Sequence, residues 1–351
     1  MQSFGLWYEP NYNNNTNDDM KISLHVNLWS LEDIRIKDTN YVKEPFLDIG
    51  IKIESYRAID NLIMHCPFII NPEDIIDLSP KLLRKENASI IFNRDCEITT
   101  KDSYTIVEIN KSNKDKKDKE ENKQENIEEN IEELLIFPLD QPVLEVFSIQ
   151  NLKEIKKTNL VFDFTQFREY VDKVDKLKNI KTVYIRFRIK TYDLKNNLYF
   201  DSELRNKSFE SAFSGTRIID FKVNEKRNID TTIKTKVLFE EKKWVMLEKV
   251  HYLLMIPSSY DVVSFSEKNP TCRELESDLW DDYLDVKIDF YKNHVLVYHW
   301  VEKGARDSFS CLAKIKYSKS LITTILKYCG VMLFISIAAS VLASMLISLF
   351  T

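Results

Sequence analysis

Glycine is scarce in this chain. There are five in 351 residues, Gly5, Gly50, Gly215, Gly304 and Gly330, and no two lie close together. A phosphate-cradling loop needs clustered glycines, because they let successive backbone N–H groups approach a ligand at positive φ. Walker A, GxGxxG and GxSxG patterns are all missing. Cysteine is sparse too. Cys66, Cys96, Cys272, Cys311 and Cys329 are scattered, odd in number and without a C-x-x-C pair. That argues against a secreted disulfide framework. The first residues, MQSFGLWYEPNYNNNTNDD, hold neither a charged n-region nor an apolar h-region, so no signal peptide is expected. A basic excess is also lacking: the net charge is −5, which gives no pull toward nucleic acid.

The five histidines, His25, His65, His251, His294 and His299, contain no H-E-x-x-H motif. His294 and His299 are five apart on a predicted strand and point to opposite faces. His65 and Cys66 are neighbours, and neighbours on a strand diverge, so they form no thiolate–imidazole pair. No catalytic residue, metal ligand or cofactor follows from the sequence. The expectation is a non-enzymatic protein.

What the chain does have is one long apolar run. Residues 328–350, YCGVMLFISIAASVLASMLISLF, carry no charge. At about 1.5 Å per residue such a helix reaches roughly 35 Å, enough for a hydrocarbon core of about 30 Å. Thr351 alone follows it, so the segment reads as a tail anchor inserted after translation. Lys314, Lys316, Lys319 and Lys327 precede it and no lysine follows. The positive-inside rule then places the N-terminal region in the cytoplasm, on a single-pass membrane protein. Within the run, Ser336, Ser340, Ser344 and Ser348 recur every fourth residue, with Ala339 and Ala343 beside them. Small residues at this spacing let two helix backbones approach, which makes a homo-oligomer one expectation. Cys329 sits at the cytosolic edge, where S-palmitoylation is chemically open.

The rest is ordinary globular composition, 44% hydrophobic and 30% charged. Residues 1–19 are Asn-rich and read as a flexible lead. Ile22, Leu24, Val26 and Leu28 alternate, as do Leu47, Ile49, Ile51 and Ile53. Period-two alternation marks half-buried strands. Further strands are expected at 62–70, 90–92, 104–109, 134–139, 143–149 and 160–164. Residues 73–86 suggest a short helical excursion. The insert at 110–133 is low in complexity: positions 111–133 hold six lysines and nine acids, with Ile127 and Ile131 as the apolar residues. Such a stretch buries too little to offset its ordering entropy. Strand patterns on both sides make it a long loop within a hairpin.

Phe167, Tyr170, Val171, Val174 and Leu177 recur at helical spacing, with Thr165 as the cap, so residues 165–179 read as a connecting helix. The clearest strand follows: Val183, Ile185, Phe187 and Ile189 face one way, and Tyr184, Arg186, Arg188 and Lys190 the other. Strands are also expected at 216–223, 245–256, 261–265, 294–301 and 308–317, and a short helix or loop at 271–284. Strands with short connections and few helices favour antiparallel β-sandwiches. The expected architecture is mainly β: a sandwich-like soluble region in two units, 20–164 and 180–317, or alternatively one larger two-sheet body, with a basic segment at 318–327 and one transmembrane helix at 328–350.

Two charged groupings stand out. Arg186, Arg188 and Lys190 share a strand face and suit contact with phosphate, another anion or a lipid headgroup, or else form the wet face of the strand. Glu274, Glu276, Asp278, Asp281, Asp282, Asp285 and Asp289 form an acidic stretch, but without EF-hand spacing or its turn glycine. A solvated loop is expected there. Trp280 lies beside Asp281 and Asp282, where it could serve as an exposed anchor, but the core is the expected place for it. The functional expectation is a membrane-tethered adaptor that binds the bilayer through its C-terminal helix and an unknown protein partner through its β-region. The competing expectation is a triggered effector that oligomerises through the helix and perturbs the bilayer.

Overall fold

The computed structural model describes residues 2–12, 20–32, 34, 44–101, 104–110, 131–139, 143–150, 156–202, 214–266, 269–275, 277–285, 288, 294–318 and 321–350. In chain order the first strands are β1 (Gly5–Pro10), β2 (Lys21–Trp29), β3 (Phe46–Glu54), β4 (Ile59–Cys66), β5 (Ile75–Asp77) and β6 (Cys96–Lys101). Then come β7 (Tyr104–Asn110), β8 (Ile131–Ile136), β9 (Leu144–Gln150), β10 (Lys156–Asp163), β11 (Thr182–Ile189) and β12 (Tyr199–Ser202). The last are β13 (Ser214–Val223), β14 (Lys243–Trp244), β15 (Leu247–Pro257), β16 (Asp261–Phe265), β17 (Thr271–Glu274), β18 (Val295–Arg306) and β19 (Phe309–Ser318). The helices are α1 (Lys85–Phe92), α2 (Phe164–Val171), α3 (Tyr192–Leu198), α4 (Thr231–Phe239), α5 (Ser277–Leu284) and α6 (Leu321–Phe350).

The chain forms two compact units. The first comprises Met1–Leu198, Asp220–Ser258 and Glu267–Cys311, and the second Tyr199–Ile219, Ser259–Ser266 and Leu312–Thr351. In the first, a ten-stranded sheet runs β17-β18-β15-β2-β3-β11-β8-β7-β6, with β5 also paired to β11. A five-stranded sheet runs β14-β1-β4-β10-β9. The alternating residues of β2, β3 and β11 line up across the larger sheet: Val26 opposite Ile49, and Ile49 opposite Phe187. This inner face meets the smaller sheet, where Phe162 of β10 lies 5.7 Å from Phe187 by ring centroid. Each fully buried aliphatic side chain there contributes about 1.5–3 kcal/mol. Asn224, at φ 56°, joins the smaller sheet to the turn after β13. Its Oδ1 accepts from Leu6 N at 2.6 Å and its Nδ2 donates to Val245 O at 3.1 Å.

The second unit carries the sheet β12-β13-β19-β16 and α6. Arg217 holds its strands together. Its Nε donates to Asp201 at 2.8 Å, and its guanidinium lies 5.2 Å from the Tyr199 ring and 5.0 Å from the Tyr317 ring.

The mainly β, largely antiparallel architecture agrees with the sequence. The hairpin flanking the charged insert is present: β7 pairs antiparallel with β8, Val107 opposite Leu134. Residues 111–130 of that insert lie outside the described residues. Several details differ. Residues 5–10 belong to β1, not to a flexible lead, because Leu6 and Trp7 pair with Met64 and Ile63 and are buried. Residues 13–19 lie outside the described residues. Residues 90–92 end α1 rather than forming a strand, and Asn93 closes that helix at φ 51°. The 73–86 excursion is two short 3-10 turns around β5. Asp163, not Thr165, caps α2, because its Oδ1 reaches the N–H groups of Thr165 and Gln166. The region 165–179 is therefore α2 plus a 3-10 turn, and it does not divide the sheets. β2 pairs in parallel with β15, and β8 in parallel with β11, across it. Alternation reveals a strand but not its distant partner, so these pairings escaped the sequence.

Candidate functional site

β11 lies inside the ten-stranded sheet with both faces covered. Arg186 is 1% exposed and Arg188 5%, while Lys190, one residue beyond the strand, is exposed. The expected wet face is thus a buried one, and the two guanidiniums do not reach solvent. The reason is tertiary: the face carrying Trp29, Phe46 and Met255 is covered by Trp280, Tyr283 and Leu284 of α5. Trp280 is in the core, as expected.

Buried charges need partners. Arg188 Nε donates to Asp48 Oδ1 at 2.6 Å and its Nη2 to Oδ2 at 3.1 Å. Asp48 also accepts from Trp29 Nε1 at 2.9 Å and Tyr283 Oη at 2.8 Å. The Arg188 guanidinium stacks 4.4 Å from the Phe46 ring centroid. Arg186 is held by neutral oxygens. Its Nε donates to Tyr283 Oη at 2.8 Å and its Nη1 to Tyr184 Oη at 3.0 Å. Its Nη2 reaches Asn27 at 3.0 Å with the Asn27 amide oxygen turned toward it. One carboxylate therefore serves two buried guanidiniums. Burial opposes the charge on both, but the surrounding groups, Asp48 among them, outweigh it and hold both pKa values above the ordinary one. Burial also pushes the Tyr184 and Tyr283 phenols upward, so both stay protonated donors at neutral pH.

From this cluster a polar line continues along the same sheet face. Tyr184 Oη, which accepts from Arg186, lies 3.4 Å from His25 Nδ1. His25 is opposite His251 in the parallel β2–β15 register, and their ring centroids are 5.0 Å apart. His251 Nδ1 lies 2.9 Å from His299 Nε2, with the rings stacked. All three rings are half-buried. Burial first, then neighbouring cations, pushes His251 down to about 3 and His299 to about 4, and His25 falls well below its usual value. The imidazoles are neutral at physiological pH.

The remaining sequence candidates fall elsewhere. The acidic stretch lies on and around α5 and pairs with the segment before and within α1. Asp282 meets Arg84 and accepts from Asn87 at 2.9 Å, Lys81 reaches Asp285, and Glu274 lies 2.5 Å from His294. Glu276, Asp289 and the side chain of Asp278 lie outside the described residues. Among the described residues no group of three His, Cys, Asp or Glu side chains is placed to hold a metal ion. His65 is buried against Asn159 at 2.8 Å, and burial pushes the Cys66 thiol up.

Among the described residues one helix is long and apolar enough to cross a membrane: Ile325–Ser348, within α6, none of it buried. Lys327 lies inside α6, so the helix begins within the stretch read as a basic juxtamembrane segment, and Lys319 lies outside the described residues. Ser336, Ala339, Ser340, Ala343, Ser344 and Ser348 are all exposed on this helix, and Ser348 Oγ donates to Met345 O at 2.8 Å. Sequence reasoning missed His25 and His251 as neighbours. Alternation puts both opposite the apolar face of their strands, but the parallel pairing that aligns them spans more than two hundred residues of sequence.

No protein-family model matches the chain, and no curated protein matches it. Among solved structures, the chain is weakly similar to the Fcho1 Mu homology domain of Danio rerio with bound Eps15 peptide. The match has 6% identity, covers 88% of this chain and 83% of that one, and has a TM-score of 0.15. A likeness of that size carries no argument.

Proposed function

We propose that the protein is a membrane-anchored, non-enzymatic binding module whose β-rich region faces the cytoplasm and captures a protein partner. The observation that carries this reading is α6, whose apolar span has no protein cover, on the same chain as a large β-rich body. An anchor confines that body to a surface, so weak contacts there gain from proximity. The strand β17 suits such capture, since it ends the strand order among the described residues, all four of its residues are exposed, and an extended peptide can add to a sheet edge. Affinity purification of the full chain from its native membranes, with the isolated C-terminal helix as control, tests this. A partner recovered with the wild type and lost with the edge-breaking variant Arg273→Pro supports the reading. Recovery of the same proteins by the helix alone overturns it.

The second reading is an effector that self-associates in the bilayer. The small residues exposed along one stretch of α6 favour it. Ser340→Leu with Ser344→Leu then abolishes the toxicity of the triggered protein. Full toxicity of that variant removes the reading.

A further inference from the structure

The C-terminal end of α4 holds two large apolar side chains in water. Leu238 is 77% exposed and Phe239 81%, more than any other large apolar residue among those described. The inner face of the helix is well packed. Ile233 and Val237 lie with Trp7, Ile63 and Trp244 against the smaller sheet. Leu238 and Phe239 follow Val237 at about 100° and 200° around the helix and turn away from that face.

Their exposure is built into a defined cap. Glu241, at φ 55°, ends the helix in the left-handed conformation. Lys242 N donates to Val237 O at 3.0 Å, and Glu241 N to Leu238 O at 3.4 Å. This is the Schellman pattern, in which an apolar residue at the position of Lys242 commonly covers the last turn. Here that residue is charged, and its ammonium goes to Glu9 at 2.6 Å and Glu240 at 2.7 Å.

Charge frames the apolar pair. Lys234 precedes Leu238 by four residues and Lys236 precedes Phe239 by three, so each lysine lies one turn before an exposed apolar side chain on the same side of the helix. Residues 234–243 hold four lysines, Lys234, Lys236, Lys242 and Lys243, against Glu240 and Glu241, in a chain whose net charge is −5. Lys236 meets Glu240 at 3.7 Å with both side chains exposed, a contact of the kind that holds little. An aliphatic and an aromatic tip below a row of lysines match the boundary of an anionic bilayer, where apolar groups enter and ammonium groups stay at the phosphates. Two side chains are too small for an ordinary protein interface, which buries about 800 Å² on each partner. On a tethered protein so small a membrane contact becomes effective.

We propose that the tip of α4 docks on an anionic bilayer, with Leu238 and Phe239 at the acyl boundary and Lys234 and Lys236 among the headgroups. The inference rests on the anchor reading of α6. That helix belongs to the second unit and α4 to the first, so the tip gives the first unit a membrane contact of its own.

The test uses the full chain, one copy per nanodisc, with Cys272→Ser and Cys329→Ser removing the exposed thiols. An environment-sensitive dye is attached at Thr235→Cys, an exposed position one turn before the apolar pair, or at Ser336→Cys in α6. The discs hold phosphatidylserine and phosphatidylcholine with nitroxide-labelled acyl chains. Expected is quenching at both positions. At position 235 it is lost in Leu238→Ser with Phe239→Ser, and docking weakens by roughly tenfold or more in Lys234→Gln with Lys236→Gln, the share of two lysines at an anionic surface. Quenching at 336 without quenching at 235 overturns the docking and leaves the anchor standing. Quenching at neither position overturns both. Quenching at 235 that is unchanged in the serine variant, or in discs of phosphatidylcholine alone, also overturns the proposal. So does a response at 235 confined to discs that hold two copies, which assigns the tip to a second copy of the chain.

Discussion

The phenol oxygen of Tyr184 occupies the space that a side chain at position 50 would need. Gly50 is opposite Arg186 in the β3–β11 register and opposite His25 in the β2–β3 register. A Cβ there would lie 2.8 Å from Tyr184 Cζ and 3.0 Å from Arg186 Nη1. The missing side chain thus lets the tyrosine bridge the buried arginine and the histidine line. Neither neighbour can retreat, since Arg186 is held at three nitrogens and Tyr184 packs 5.0 Å from Phe92 by ring centroid.

Gly50→Ala therefore destabilises the protein by about 1–3 kcal/mol, the usual cost of overpacking a core. Thermal unfolding in detergent, followed by tryptophan fluorescence, reads this as a lowered midpoint. Gly330→Ala is the control: nothing lies within 4 Å of a Cβ at that position. Equal midpoints for the two variants contradict the packing of Tyr184 over Gly50.

Asp48 is the carboxylate that balances the buried guanidiniums. Asp48→Asn keeps the shape but removes the charge that faces Arg188. Breaking a buried ion pair from one side costs about 3–5 kcal/mol. Adding Arg188→Leu removes a charge left without its partner, so the double variant recovers part of the loss. Denaturant midpoints of the wild type, the single and the double variants form the measurement. A double variant less stable than Asp48→Asn contradicts this account.

The legible and hidden parts of the molecule divide along a physical line. Strands such as β2, β3 and β11 are visible because every second residue is an aliphatic or aromatic one bound for the inner face. The apolar span of α6 is visible for the same local reason. Arg186 and Arg188 were misplaced because alternation says only that they face away from Phe187; whether that face meets water depends on α5, about a hundred residues later. The register that unites His25 and His251 is equally non-local. Strand β1 was hidden by an Asn-rich context that continues past it, although Leu6 and Trp7 carry its pairing.

Thiol accessibility tests the cytoplasmic orientation. Cys272 is exposed on β17, whereas Cys66, Cys96 and Cys311 are buried. Burial further suppresses the thiolate of Cys66. A membrane-impermeant maleimide added to intact cells should leave Cys272 unmodified, and permeabilising the plasma membrane should expose it. A Cys329→Ser background removes the other exposed cysteine. Modification of Cys272 in intact cells contradicts a cytoplasmic β-region.

Acidification weakens the fold over a defined window. Four histidines carry native pKa values below the ordinary 6.5: His251 at about 3, His299 and His65 at about 4, and His25 lower than usual by a wide margin. Burial is the first cause for each. As the pH falls below 6.5, the unfolded chain takes up protons that the native state refuses. The unfolded state then binds more protons, and stability rises with pH in this range. The contribution is complete above about pH 6.5 and is lost progressively toward pH 3 to 4. The thermal midpoint should therefore stay nearly level above about pH 6.5 and fall steadily from there to pH 4.5. In His251→Gln with His299→Gln, where glutamine has nothing to protonate, the fall should be shallower. A wild-type midpoint that stays level across this range, or a double variant with the wild-type slope, would show that the imidazoles of the sheet face are not held neutral by their surroundings.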